Sequence, residues 1–266
     1  VSTTVVKPLG VSVIIPAYNE EARLPFTLER IYRYLSARSL SFEIIVVDDG
    51  SVDRTAEIAE TFLRARSSGH VLRNDANQGK GFSVKRGVLG ARGEYILFSD
   101  ADLSTPIEEL YKVLKPILAG NCDIAIASRA NGQSEIRVSQ PWHRRMTGQV
   151  FNILVRLLAV RSIKDTQCGF KCFTRPAAMS IFSRQQLNGF GFDVEILYIA
   201  QKSGYVTREI PVAWINSPGS RVHVLADSVR MFLDLWRIRF NGMRGLYAER
   251  PQEESLEEVS RIVPRP

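Results

Sequence analysis

Three apolar runs of strand length, each ending in acidic residues, constrain this chain more than any other feature. Residues 11–15 (Val-Ser-Val-Ile-Ile) lead into Pro16-Ala17-Tyr18-Asn19-Glu20, residues 42–47 into Asp48-Asp49-Gly50-Ser51, and residues 95–98 into Ser99-Asp100-Ala101-Asp102. Helical patterns separate the runs, and this alternation is the signature of an α/β fold with a mostly parallel sheet covered by helices. In such a sheet ligands bind beyond the carboxyl ends of the strands. Here those ends carry carboxylates, which repel phosphate unless a cation intervenes. The simplest chemistry is a divalent metal, Mg2+ or Mn2+, held by Asp100 and Asp102 and neutralising a nucleotide diphosphate.

The connecting segments support this reading. Leu24, Leu28, Ile31 and Leu35 recur at helical spacing. Asp53 suits the N-cap of a second helix that buries Ile58, Phe62 and Leu63. Thr105-Pro106-Ile107-Glu108 reads as a capping box, opening a helix that turns Leu110, Val113, Leu114 and Leu118 inward. Residues 122–127 read as the next buried strand. Residues 1–9 are expected to be a loose lead-in and 246–266 a disordered polar tail. One domain over 10–245 remains, with halves at about 10–128 and 129–245.

Composition narrows the function classes. No run of about 18 apolar residues exists, so no spanning helix is expected. The first residues lack a signal-peptide pattern, so export is not expected. Three cysteines make no disulfide framework, and Cys168-x-x-x-Cys172 without nearby histidines is a poor zinc site. The net charge is +7, and residues 129–175 alone carry nine basic against two acidic side chains. That concentration points to an anionic partner. The basic region holds no nucleic-acid motif, so the partner is expected to be phosphate or anionic lipid. Residues 140–160 and 225–243 each set arginines beside aliphatic and aromatic residues, the composition of a helix lying in a membrane interface. Packing against the sheet is the alternative for either stretch.

Five motifs occur in order: 16–20, Asp48-Asp49-Gly50-Ser51-x-Asp53-x-Thr55, Asn77-x-Gly79-Lys80-Gly81, Asp100-Ala101-Asp102-Leu103-Ser104-Thr105-Pro106, and Asp165-Thr166-Gln167-Cys168-Gly169-Phe170-Lys171. In these the chain resembles the inverting nucleotide-sugar glycosyltransferases of family 2, which have the GT-A fold. Within that family it is most similar to the branch acting on dolichyl and polyprenyl phosphates, for which the last motif is the most specific. The resemblance implies transfer of glucose from UDP-glucose to such a lipid phosphate, by a peripheral protein on the cytoplasmic side of a membrane. A GDP-mannose donor, or a nucleotide-sugar-binding protein without activity, are the alternatives.

The resemblance also implies roles for individual residues. Asp102 would be the principal metal ligand, with Asp100 and Ala101 beside the donor. Pro16, Ala17, Tyr18 and Glu20 would line base and ribose. Asp49 could accept the imide N–H of uracil, whereas Asp48 also suits an inward, loop-capping place. Lys80 faces a phosphate or solvent, since the spacing around it is not that of a P-loop. Arg129 and Arg221 would meet phosphates. Asp165 would approach the acceptor and sugar, and the half at about 129–245 would hold the acceptor and face the membrane. Asp193 and Glu195 contact sugar hydroxyls or pair locally, and His223 is at most an occasional metal ligand.

Overall fold

The structure, a computed structural model, describes residues 10–38, 40–129, 160, 163–215 and 224–248, with side chains in the last stretch from Arg230 onward. A central sheet of seven strands has the order β3-β2-β1-β4-β6-β5-β7. Strands β1 (Val11–Ala17), β2 (Phe42–Asp48) and β4 (Tyr95–Ser99) are the three apolar runs. Their residues are almost wholly buried because helices cover both faces, as expected for parallel strands. Strand β3 (Gly69–Arg73) extends the edge beside β2. Its half-buried residues carry no alternating or apolar signal, so the sequence does not announce it.

Beyond β4 the sheet becomes mixed in strand direction. Strand β5 (Ile124–Ser128) runs parallel to β7 (Thr207–Pro211), while β6 (Phe170–Thr174) runs antiparallel between β4 and β5. This reversal matters for the site. Because β6 starts where its neighbours end, with Phe170 opposite Ser99, the loop before it lies at the carboxyl ends of β1, β2, β4 and β5. Strand order also reverses around β1, which has β2 on one side and β4 on the other. Ligand crevices form at such switch points.

Helices α1 (Leu24–Ser36), α2 (Thr55–Arg66), α3 (Lys80–Gly90), α4 (Leu110–Leu118), α5 (Arg175–Arg184), α6 (Phe192–Lys202) and α7 (Val224–Met243) pack on this frame. The expected inward residues of α1 are all buried. Other expectations need correction. Helix α2 begins at Thr55, because the Asp53 carboxylate closes a turn onto the Thr55 N–H and hydroxyl instead of capping. It buries Ala56, Ala59 and Leu63, leaving Ile58 and Phe62 half-buried. Thr105 caps nothing: a 3-10 turn (Ile107–Glu109) precedes α4, which buries Leu110, Val113, Leu114 and Ile117 and leaves its last residue, Leu118, exposed. The 140–160 stretch falls outside the described residues except Val160, as do residues 1–9 and 249–266. Tyr247, two residues past the expected domain boundary, is buried against α6.

Candidate active site

The carboxylates after β2 separate into two roles. Asp49 is buried, and both of its oxygens are taken: Oδ1 accepts from Asn74 Nδ2 (2.6 Å) and the Gln78 N–H (2.9 Å), Oδ2 from the Gly79 N–H (2.9 Å). It pins the loop between β3 and α3. Asp48 is fully buried, with Oδ1 accepting the Ser51 N–H at 3.3 Å. Its Oδ2 lies 3.3 Å from Arg73 Nε without hydrogen-bond geometry and has no hydrogen-bond partner. A buried carboxylate oxygen with an unfilled acceptor site invites a donor. Asp49 is thus engaged by its own loop, and Asp48 Oδ2 is a buried acceptor without a hydrogen-bond partner.

The loop after β1 is tied to the loop after β2. Ser51 Oγ accepts the Asn19 N–H (2.8 Å), and Thr55 Oγ1 accepts the Glu20 N–H (2.7 Å). Asn19 takes the left-handed conformation at φ +52°, which the flanking bonds hold. Pro16 and Ala17 close the strand, and Tyr18 is exposed on the rim. Glu20 is engaged within its own turn. Arg23, one helical turn on, donates to both its oxygens at 2.6 and 2.5 Å. The Glu20 bond raises the Arg23 pKa, and Asp102 and Asp100 add to that rise. Arg23 is thus a site cation that the motifs did not mark.

Asp100 and Asp102 sit where β4 ends. The Asp100 N–H donates to the Gly169 carbonyl (3.0 Å), fastening the 165–169 loop to the pair. A side chain at Gly169 would overlap the Asp100 carboxylate, which explains a glycine there. Lys80, at the start of α3, places Nζ 2.6 Å from Asp100 Oδ1. Burial alone would lower its pKa, but Asp100, Asp193 and Asp102 outweigh burial and hold Lys80 charged, well above its ordinary value. Asp102 accepts the Ser104 N–H through Oδ1 (2.9 Å), across a turn in which Leu103 has φ +47°. Among the described residues no group of three or more His, Cys, Asp or Glu side chains could enclose a metal. Two carboxylates fit a hard cation that takes its other ligands from diphosphate and water, the usual way Mg2+ is held. Asp102 suits the ion better, since Lys80 already occupies Asp100.

Arg129 leaves β5 on the same edge. Asp165 receives its backbone N–H and Nε at Oδ2 (both 2.8 Å) and its Nη2 at Oδ1 (2.7 Å). Arg129 also lies 5.5 Å from the centre of the Trp214 ring. Burial alone would raise the Asp165 pKa, but the Arg129 charge and hydrogen bonds bring it below its ordinary value. Glu209 on β7 braces the arrangement, accepting from the Asp165 and Lys164 N–H groups (both 2.9 Å) and from Ser128 Oγ (3.0 Å). The structure brings Asp165 and Arg129 together, with both Asp165 oxygens accepting from Arg129. Lys171 is fully buried, ion-paired with Asp193 and donating to the Cys168 carbonyl (2.8 Å). Glu195 accepts from Gln186, Leu187 and Tyr247. Asp193 and Glu195 therefore pair locally. Arg221 and His223 lie outside the described residues.

A mostly parallel α/β sheet, with acidic and basic side chains facing each other across its switch point, is the architecture of the GT-A fold. A family model described as glycosyl transferase family 2 matches residues 12–188, and the chain belongs to that family. The dolichyl-phosphate beta-glucosyltransferase of Dictyostelium discoideum is 38% identical over 247 residues, 89% of this chain and 76% of the relative. The protein of that name from Homo sapiens is 38% identical over 248 residues, with the same shares covered. Among solved structures, glucosyl-3-phosphoglycerate synthase from Mycobacterium tuberculosis, in complex with Mn2+, UDP and glucosyl-3-phosphoglycerate, superposes with a TM-score of 0.64 at 19% identity. That match covers 91% of this chain and 81% of the other.

Proposed function

We propose that this enzyme transfers glucose from UDP-glucose to dolichyl or another polyprenyl phosphate, in one displacement that inverts the anomeric carbon. The observation that carries the reading is the Asp165-held Arg129, set on the same sheet edge as Asp48, Lys80 and the Asp100–Asp102 pair. The relatives named above support the lipid acceptor and the glucosyl group. Asp48 Oδ2 would accept the uracil imide N–H. Pro16, Ala17 and Tyr18 would flank base and ribose. Asp102, with Asp100, would hold Mg2+ or Mn2+, which when bound offsets charge on the diphosphate.

Each remaining step falls to the chain's own side chains. Lys80 exchanges its Asp100 contact for a diphosphate oxygen, placing a charge where the leaving group becomes more negative. Arg129 presents a fixed guanidinium fork to the acceptor phosphate, a geometry suited to two parallel hydrogen bonds. Asp165 holds that fork in place. A phosphate oxygen is already anionic near neutral pH, so attack requires no general base. This agrees with the engagement of Asp165 by Arg129.

The acceptor's apolar chain calls for a membrane surface. Helix α7 packs through Met231, Leu235 and Ile238 but exposes Leu233 (51%), Trp236 (56%), Phe240 (55%) and Met243 (75%) beside Arg230, Arg237 and Arg239. This face suits peripheral attachment, on the cytoplasmic side, to a bilayer with anionic lipid. The test is a donor screen with a polyprenyl phosphate and Mg2+ or Mn2+, reading the lipid product by mass. A hexosyl lipid from UDP-glucose is expected. Product from GDP-mannose alone would overturn the donor assignment.

A further inference from the structure

The Lys80 turn has no side-chain cap of its own. Gly79 precedes α3 at φ +101°, and its N–H and that of Gln78 donate to Asp49. The 185–188 loop holds the turn as well. Gln185 Nε2 donates to the carbonyls of Gly81 (2.9 Å) and Leu187 (2.8 Å), Lys85 Nζ donates to the Gln185 carbonyl (2.9 Å), and the Phe82 N–H donates to the Asn188 carbonyl (3.2 Å). The approach is close enough that a Cβ at Gly79 would come 2.5 Å from the Asn188 carbonyl oxygen, and one at Gly81 2.6 Å from that of Leu187. The two segments are therefore packed backbone against backbone.

The same loop is gripped from its other side by Glu195 of α6. This fully buried carboxylate accepts the Gln186 N–H at Oε1 (3.0 Å) and the Leu187 N–H at Oε2 (2.8 Å). Its third partner comes from beyond α7: the Tyr247 hydroxyl donates to Oε1 at 2.7 Å. Tyr247 is itself clamped. Its carbonyl accepts from Arg184 Nη1 (2.9 Å), its hydroxyl accepts from Asn241 Nδ2 (3.3 Å), and its ring meets Tyr198 edge-on at 5.8 Å. At Gly242 a side chain would collide with the Tyr198 hydroxyl, so the end of α7 lies directly on α6.

We infer that Tyr247 and Glu195 are positioning residues for the donor site: through the 185–188 loop they set where Lys80 stands relative to Asp100. The contacts run without a gap from the end of α7 to the Lys80–Asp100 pair. Because α7 also carries the exposed apolar and arginine face, the seating of that helix is communicated to the side of the site that grips the diphosphate. The inference rests on the proposed role of Lys80 toward the donor.

The test is a double-mutant cycle read by UDP binding with Mn2+ in calorimetry, on the full chain. Tyr247→Phe keeps the buried ring and deletes only the hydroxyl. It is expected to weaken UDP roughly three- to tenfold, the size of one or two net hydrogen bonds. Asn241→Ala, a milder change to the same hydroxyl, is expected to act in the same direction and serves if Tyr247→Phe folds poorly. In a Lys80→Ala background, Tyr247→Phe is expected to cause no further loss. A lowered melting temperature with parental UDP affinity would make the pair purely structural and overturn the inference. So would a loss of equal size in both backgrounds. Parental UDP affinity in Lys80→Ala alone would instead refute the donor role of Lys80, and the inference with it.

Discussion

At the scale of single residues, neighbouring carboxylates differ in function because their hydrogen bonds differ. Asp102 has one backbone bond and is the better metal ligand, so Asp102→Asn should abolish nearly all transfer and weaken Mn2+-dependent UDP binding while the fold persists. Undiminished turnover would remove it from the metal site. Asp49 accepts three bonds from one loop, so Asp49→Asn leaves at least one buried donor unmatched and should cost about 1–3 kcal/mol in denaturant unfolding. Asp48→Ala should instead lower UDP affinity with a smaller effect on stability. The reverse ranking would restore the assignment suggested by sequence. Asp165 titrates below the ordinary aspartate range because Arg129 outweighs its burial. A depressed folded-state pKa contributes stability above the unfolded value, near pH ~4, and that contribution is lost as pH falls through the folded value. Asp165→Asn should therefore be less stable than the parent by about 3 kcal/mol at neutral pH, as when a buried pair is broken. The gap should narrow on acidification. A gap independent of pH would show that the pair's charge is not what stabilises the loop.

At the scale of elements, α7 combines a packed face with an exposed apolar one, and its outward residues give the membrane reading a direct test. Trp236→Glu with Phe240→Glu should reduce binding to anionic liposomes and transfer to a long-chain acceptor, yet spare UDP binding. Parental binding should also weaken with salt, because part of the attraction is Coulombic. Unchanged liposome binding by the double variant would remove α7 from the interface. Elements were legible in the sequence where burial imposed a pattern. Strands β1, β2 and β4 show as apolar runs because helices cover both sheet faces. Strand β3 is a half-buried edge and leaves no such trace. The expectation for Leu118 fails because Ile117 continues the stripe of Leu110, Val113 and Leu114 at helical spacing, whereas Leu118 lies about 80° round the helix from Leu110.

At the scale of the whole molecule, the site is made by topology. The acidic motifs could be read in sequence because each is short and follows its own strand. Their partners could not. Lys80 meets Asp100 because α3 starts beside the end of β4, whereas Asp165 meets Arg129 and Asp193 meets Lys171 because β6 enters the sheet antiparallel and carries the 165–169 loop to the switch point. Arg23 and Glu209 belong to no motif and become site residues through the same folding. The central claim is that one lipid-phosphate oxygen displaces UDP directly, with Arg129 steering the attack and no enzyme nucleophile involved. Its most direct test is the anomeric configuration of the product, read from the proton NMR coupling of lipid phosphate glucosylated from α-configured UDP-glucose. The account predicts a β-linked product; an α-linked product would contradict it, since retention requires a second displacement or a different attacking face.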